Sequence, residues 1–315
     1  MRLLATVSAS ALLAVATLSA HADPFTSIVV YGDSLSDNGN LYRLTHGFAP
    51  APPYVNGRFS NGAVAVEQLA ANLNVPLVDF AFGGATTGIG NTADGGTPTQ
   101  AGVVGLPGML AEFYGAAPSG QLPAGSDLNS LFVVWGGAND FEALSSPTAD
   151  QTQAAALAAA ANSNLIVAGL EQEGATHILV PNLPNLGSTP EFAGDAMALA
   201  YSSTFNAALA GALPRGATLF DTNAVFSAIL NSPGNYGFTN VTTPCIVAMA
   251  NPACTGYLFF DDIHPTTAAD AILARGFEGA VTPAAATPEP SSLLLLGTGL
   301  VGVAGVVRRR NRVCA

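Results

Sequence analysis

Ser34 stands in Gly32-Asp33-Ser34-Leu35-Ser36-Asp37, directly after the apolar run Ser27-Ile28-Val29-Val30-Tyr31. The β-branched run reads as a strand, and the small and polar residues after it force a sharp turn. In parallel α/β sheets, reacting groups gather just outside the carboxyl ends of strands. Ser34 is therefore a candidate nucleophile, on condition that a base and an oxyanion site exist elsewhere in the chain.

His264 is the candidate base. Asp261 precedes it by three residues, and one turn at that spacing can bring a carboxylate to an imidazole. The carboxylate would hold the ring and stabilise the imidazolium formed on taking the Ser34 proton. Taken alone, an Asp-x-x-His is a surface turn. His177 opens an apolar run and reads as structural, and His46 lies in a loop flanked by Gly and Pro. Donors for a developing oxyanion are the Ser34 N–H, the Gly84 N–H in Gly83-Gly84-Ala85-Thr86-Thr87, and the Asn139 amide in Gly136-Gly137-Ala138-Asn139-Asp140. Each such donor can supply about 3 to 4 kcal/mol. By themselves, Gly83-Gly84 reads as a tight turn and Asn139 as a turn or helix cap.

These residues need a frame. Apolar runs at Ile28–Tyr31, Leu77–Phe80, Leu131–Trp135, His177–Val180 and Thr218–Asp221 alternate with helix candidates at Ala63–Leu73, Gln153–Gln172 and Ala196–Leu213. Alternating strands and helices predict βαβ units and a parallel sheet covered on both faces. Ser34, Gly83-Gly84 and Asn139 then follow the first three strands, and Asp261–His264 lies beyond the fifth. All would meet at one edge of the sheet.

Gly-Asp-Ser-Leu, Gly-Gly-Ala-Thr-Thr, Gly-x-Asn-Asp and Asp-x-x-His-Pro-Thr occur in this order. The chain thereby resembles the GDSL esterases and lipases of the SGNH hydrolase superfamily over about residues 26–277. The loops Asn56–Gly62 and Val180–Pro184 also look like family loops. The resemblance implies a three-layer α/β/α sandwich with a five-stranded parallel sheet, flavodoxin-like. It implies Ser34 as nucleophile and first oxyanion donor, Gly84 as second donor (Gly83 the alternative) and Asn139 as third. His264 would be the general base and Asp261 its orienting acid, with Asp262 beside it a decoy. No metal or organic cofactor is implied. An Asn often precedes the Gly-Gly block in this family, whereas Asp79 stands here, which puts the local loop hydrogen bonding in question.

The 315 residues carry a net charge of −12, with no Lys and nine Arg. Four of these, Arg308, Arg309, Arg310 and Arg312, crowd the end of the chain, leaving Arg43, Arg58, Arg215 and Arg275 in the body. Such a surface excludes nucleic acid as a partner and disfavours attraction to anionic lipid headgroups. Residues 1–22 read as a signal peptide: Met1-Arg2, an apolar Leu3–Leu18, and the cleavage site Ala20-His21-Ala22. Residues 23–283 form the expected hydrolase domain. In an exported protein Cys245 and Cys254 are expected to form a local disulfide, and Cys314 lies in the tail.

Residues 284–315 have a different composition. Pro288-Glu289-Pro290 precedes an uncharged apolar run, Leu293–Val307, and then the Arg cluster. This tripartite end resembles the PEP-CTERM sorting signal of Gram-negative bacteria. It implies processing by an exosortase-type enzyme, transient membrane insertion through 291–307, and a final place on the periplasmic side, the cell surface or the extracellular matrix. A plain membrane anchor is the alternative.

The expected activity is hydrolysis of carboxylic esters, on a lipid or an acylated polysaccharide. Apolar residues Val103, Val104, Leu106, Met109, Leu110 and Phe113 could line an acyl site, but read more simply as the core face of a helix. A polysaccharide O-deacetylase of the same fold and a non-catalytic surface or matrix protein are the alternatives.

Overall fold

In a computed structural model describing residues 25–94, 105–116, 122–248, 253–282 and Gly299, five strands form one parallel sheet. They are β1 (Ile28–Gly32), β2 (Leu77–Asp79), β3 (Leu131–Trp135), β4 (Ile178–Pro181) and β5 (Ala217–Phe220). Their order across the sheet is β2-β1-β3-β4-β5. The expected signal peptide, the sorting segment apart from Gly299 and including Cys314, and Val103 and Val104 lie outside the described residues.

The helices are α1 (Asn40–Leu44), α2 (Ala65–Leu73), α3 (Met109–Ala116), α4 (Ala138–Glu142), α5 (Ala149–Gln172), α6 (Ala196–Ala212), α7 (Thr222–Asn231), α8 (Cys245–Ala248) and α9 (Thr267–Val281). Alternate strand residues point to opposite faces. Val29, Tyr31, Phe132 and Val134 pack under α3, α5 and α6, whereas Ile28, Val30, Leu131, Val133 and Trp135 pack under α2, α7 and α9. The result is the expected three-layer α/β/α arrangement. All five residues of both β1 and β3 are buried, which explains their unbroken apolar sequence.

Side chains set several boundaries. α5 starts four residues before the expected Gln153 because Thr148 caps it. The Thr148 hydroxyl accepts from the Gln151 N–H, and Gln151 Oε1 accepts from the Thr148 N–H. β5 stops short of Asp221 because that carboxylate accepts the Ala224 N–H and caps α7.

The chain leaves β1 for β2 on one side and returns to β3 on the other. The carboxyl ends of β1 and β3 therefore flank the topological switch point, where open α/β sheets form a crevice. Their register runs from Ile28↔Leu131 to Gly32↔Trp135, so both strands end level.

Candidate active site

Gly32 closes β1 against β3. A Cβ there would stand 2.6 Å from the Trp135 carbonyl oxygen, so a larger residue would push the strand ends apart. The turn that follows is held by Asp33. Its Oδ1 accepts the Leu35 N–H at 3.0 Å, and its carbonyl accepts from Ser36 and Asp37 at 3.0 Å each. Ser34 sits in this turn with 8% of its surface exposed.

His264 reaches Ser34 from the loop before α9, its Nε2 lying 2.7 Å from Ser34 Oγ. Its Nδ1 lies 2.7 Å from Asp261 Oδ2 and 2.9 Å from Oδ1. Asp261 Oδ1 also accepts the backbone N–H groups of Ile263 at 3.0 Å and His264 at 2.7 Å. The three-residue spacing thus produces a turn in which the carboxylate binds both the backbone and the ring of the same histidine. Hydroxyl, imidazole and carboxylate form one line that can remove a proton from Ser34 Oγ.

The electrostatics match this order. Burial alone would raise the Asp261 carboxyl, but the charge and hydrogen bond of His264, with two backbone N–H groups, hold it below the ordinary range. Burial opposes charging of His264, yet Asp261, then Glu142 and Asp33, raise its affinity for a proton above the ordinary value. Asp33 itself is pushed up to about 6 by burial. Glu142 is pushed up to about 7 by desolvation and then by Glu191.

The two glycine-containing motifs meet where the Asn139 amide donates to the Ala85 carbonyl. The Gly83 N–H is taken by Asp37 Oδ2 at 2.8 Å. The N–H groups of Ser34 and Gly84 have no acceptor among the described residues. Gly84 has φ of +80°, and a Cβ there would stand 2.5 Å from Asn91 Oδ1. Asn139 Nδ2 donates one hydrogen to the Ala85 carbonyl at 3.0 Å, which leaves its second N–H. The Thr92 hydroxyl lies 3.1 Å from the Gly84 carbonyl and 3.4 Å from Asn139 Oδ1. Ser34, Asn139 and His264 all border a cleft open to solvent and walled by Leu35, Leu183, Leu186, Phe226, Phe259 and Ile263.

Other expected residues lie elsewhere. His177 stands at the amino end of β4, edge-on to Phe25 at 5.3 Å. His46 lies in an exposed loop with φ of +52°. Asp262 is exposed and uses its carbonyl to accept the Glu191 N–H. Asp79 accepts from the backbone N–H groups of Asn38 and Ala81, so the loop is hydrogen-bonded with Asp in that place. Leu106, Met109, Leu110 and Phe113 are buried in the core and line none of the cleft, as a core helix face requires. Cys245 and Cys254 are joined, with their Cα atoms 5.6 Å apart.

Three supporting residues escaped the sequence reading. Tyr54 donates to Asp261 Oδ2 at 2.8 Å. Asp140 accepts from Thr87 twice. Glu112, buried on α3, accepts the N–H groups of Gly32 and Phe82 and so ties the ends of β1 and β2 together. Glu112 had a readable signal, a lone acid in an apolar helix, and Asp140 lies inside the Gly-x-Asn-Asp motif. Tyr54 had none.

The family model of the GDSL-like lipase/acylhydrolases matches residues 28–277. The chain belongs to this family. The acylhydrolase is thus a hydrolase acting on ester bonds. A PEP-CTERM protein-sorting motif matches residues 286–310. The acylhydrolase is 28% identical to the phosphatidylcholine-sterol acyltransferase of Aeromonas hydrophila, over 84% of this chain and 92% of that protein. It is also 28% identical to the thermolabile hemolysin of Vibrio parahaemolyticus, over 78% of this chain and 61% of that protein. Among solved structures, a lipase from a goat rumen metagenome aligns at 17% identity with a TM-score of 0.45, over 81% of this chain and 96% of that one.

Proposed function

We propose that the acylhydrolase is an exported serine carboxylesterase in which Ser34 is the nucleophile, His264 the general base and Asp261 its orienting acid. The observation that carries this reading is the unbroken contact from Ser34 Oγ through His264 to Asp261, 2.7 Å at each link. His264 Nε2 takes the hydroxyl proton as Ser34 Oγ bonds to the acyl carbon. The resulting imidazolium is stabilised by Asp261. The oxyanion is received by the free N–H groups of Ser34 and Gly84 and by the Asn139 amide. Collapse expels the alcohol, which takes the proton from His264. Water, deprotonated by His264, then releases the acid and restores Ser34.

The apolar cleft beside Ser34 suits the acyl portion of the ester, which favours short- to medium-chain acyl groups, on lipids among other carriers. We assign residues 1–22 to a signal peptide, 23–283 to the hydrolase domain and 284–315 to the sorting segment, handled by an exosortase-type enzyme at a Gram-negative envelope.

Hydrolysis of p-nitrophenyl acetate, butyrate and octanoate by the purified protein and its Ser34→Ala variant tests the reading. Activity that vanishes in the variant is expected. Equal activity in both proteins would sink it. Release of acetate from an acetylated polysaccharide, with no activity on longer esters, would favour the deacetylase instead.

A further inference from the structure

Asp261 is held from two directions. Its Oδ1 is bound by N–H groups of its own turn. Its Oδ2, 2.7 Å from His264 Nδ1, has one further donor among the described residues, the Tyr54 hydroxyl at 2.8 Å, from a loop 207 residues away. Tyr54 is well fixed. Its ring meets Phe260 edge-on at 5.3 Å and Phe59 at 5.7 Å. It packs on the small cluster built around Cys245, Cys254 and Phe260. Arg58, in the same loop, is anchored to Glu67 of α2 by two contacts of 2.6 Å.

We propose that Tyr54 is a positioning residue of the esterase site, its hydroxyl fixing Asp261 Oδ2 in line with His264 Nδ1 and sharing the negative charge that the imidazolium meets. The inference rests on the serine-esterase reading above. The imidazole that Asp261 must orient itself binds Oδ2, and the Tyr54 donor holds that oxygen independently of the ring. A hydrogen bond to a charged acceptor is also stronger than a neutral one. Burial, then the charge and hydrogen bond of Asp261, push the phenol above its ordinary value, so Tyr54 remains a donor at any working pH. His264 also faces Glu142 from α4, Asp33 from the turn after β1, and Glu191, while Tyr54 faces Asp262. Replacing Tyr54 by Phe leaves all of these in place and retains the ring.

The test is Tyr54→Phe, read by kcat and KM against pH on p-nitrophenyl butyrate and by NMR titration of His264. Without the shared hydrogen bond, Asp261 presents more charge to the imidazolium. The His264 titration and the acid limb of kcat/KM should therefore move to higher pH. We expect kcat to fall about three- to tenfold with KM within about twofold, as for a lost positioning contact. In an Asp261→Asn background the same change should add nothing to the titration, because the two groups act as one. An unmoved His264 titration overturns the proposal, as does a Tyr54→Phe protein that fails to fold, since the hydroxyl would then serve the fold. Loss of the esterase reading shows separately, as turnover that survives Ser34→Ala, and leaves the titration to decide the Tyr54 link.

Discussion

Thr87 and Asp140 are joined by two hydrogen bonds of 2.8 Å, the Thr87 N–H to Asp140 Oδ2 and the Thr87 hydroxyl to Oδ1. This clamp binds the loop carrying Gly84 to the helix carrying Asn139. Asn162 of α5 backs it by donating to the Thr87 hydroxyl at 3.2 Å. The two proposed oxyanion donors, one on a loop and one on a helix, thereby share one support.

Asp140→Ala should loosen that support. The Thr87 N–H loses its acceptor, at a cost of about 1–3 kcal/mol in stability. We expect kcat on p-nitrophenyl butyrate to fall by about tenfold or more, with KM little changed, because the donors act mainly on the transition state. Steady-state kinetics beside a urea melt would check both.

Activity should rise with pH along a limb centred above 6.5, the ordinary histidine value, since His264 accepts a proton only when neutral and its affinity is raised by Asp261. A pH profile of kcat/KM centred at or below 6.5 would contradict the assigned electrostatics.

Stability should follow a different pH dependence. Asp33 and Asp140 rise from 3.8 to about 6, chiefly through burial. The folded state therefore binds their protons more tightly than the unfolded chain. Their contribution is fully present below about 3.8 and is lost as pH rises to about 6. His264 acts in the same direction at higher pH, losing its contribution as pH rises through its raised value. Asp261, lowered, opposes this only in strong acid, where its contribution is lost as pH falls below the ordinary 3.8. Thermal melts should give a higher Tm at pH 5 than at pH 8; the reverse order would refute the assignment.

Reduction of Cys245–Cys254 should destabilise the domain. The sequence separation is 9, and closing a loop of that size removes unfolded-state entropy worth about 2–3 kcal/mol. Melts with and without dithiothreitol should differ, and Cys245→Ser/Cys254→Ser should melt like the reduced protein.

Ile263 borders the cleft next to His264 and is partly exposed, so it tolerates bulk better than the buried wall. Ile263→Trp should narrow the cleft. We expect kcat/KM for p-nitrophenyl octanoate to fall at least about tenfold relative to acetate, as the loss of several methylene contacts requires. An unchanged octanoate-to-acetate ratio would place the acyl chain elsewhere.

Much of this was legible in the sequence because it is local. Unbroken apolar runs mark strands buried on both faces, so Ile28–Tyr31 and Leu131–Trp135 match β1 and β3 almost to the residue. Parallel strands send their carboxyl ends to one edge, which predicts Ser34 and Asn139 as neighbours, and the order of the motifs brings His264, from beyond the fifth strand, to the same edge. The Asp261–His264 pair is one turn, closed by contacts three residues apart.

Sequence order and residue type thus determined the sheet, its reactive edge and the line Ser34–His264–Asp261. Tertiary structure alone decided which donors are free and what holds the acid. The family resemblance favours Gly84 over Gly83, and the physical reason is tertiary: Asp37, 46 residues earlier, takes the Gly83 N–H and leaves that of Gly84. The cleft wall comes from Leu35, Leu183, Phe226 and Ile263 rather than from one apolar run. Tyr54 finds Asp261 across 207 residues. No periodicity encodes such contacts. They arise when separate loops, each locally unconstrained, are packed onto one edge of a rigid sheet.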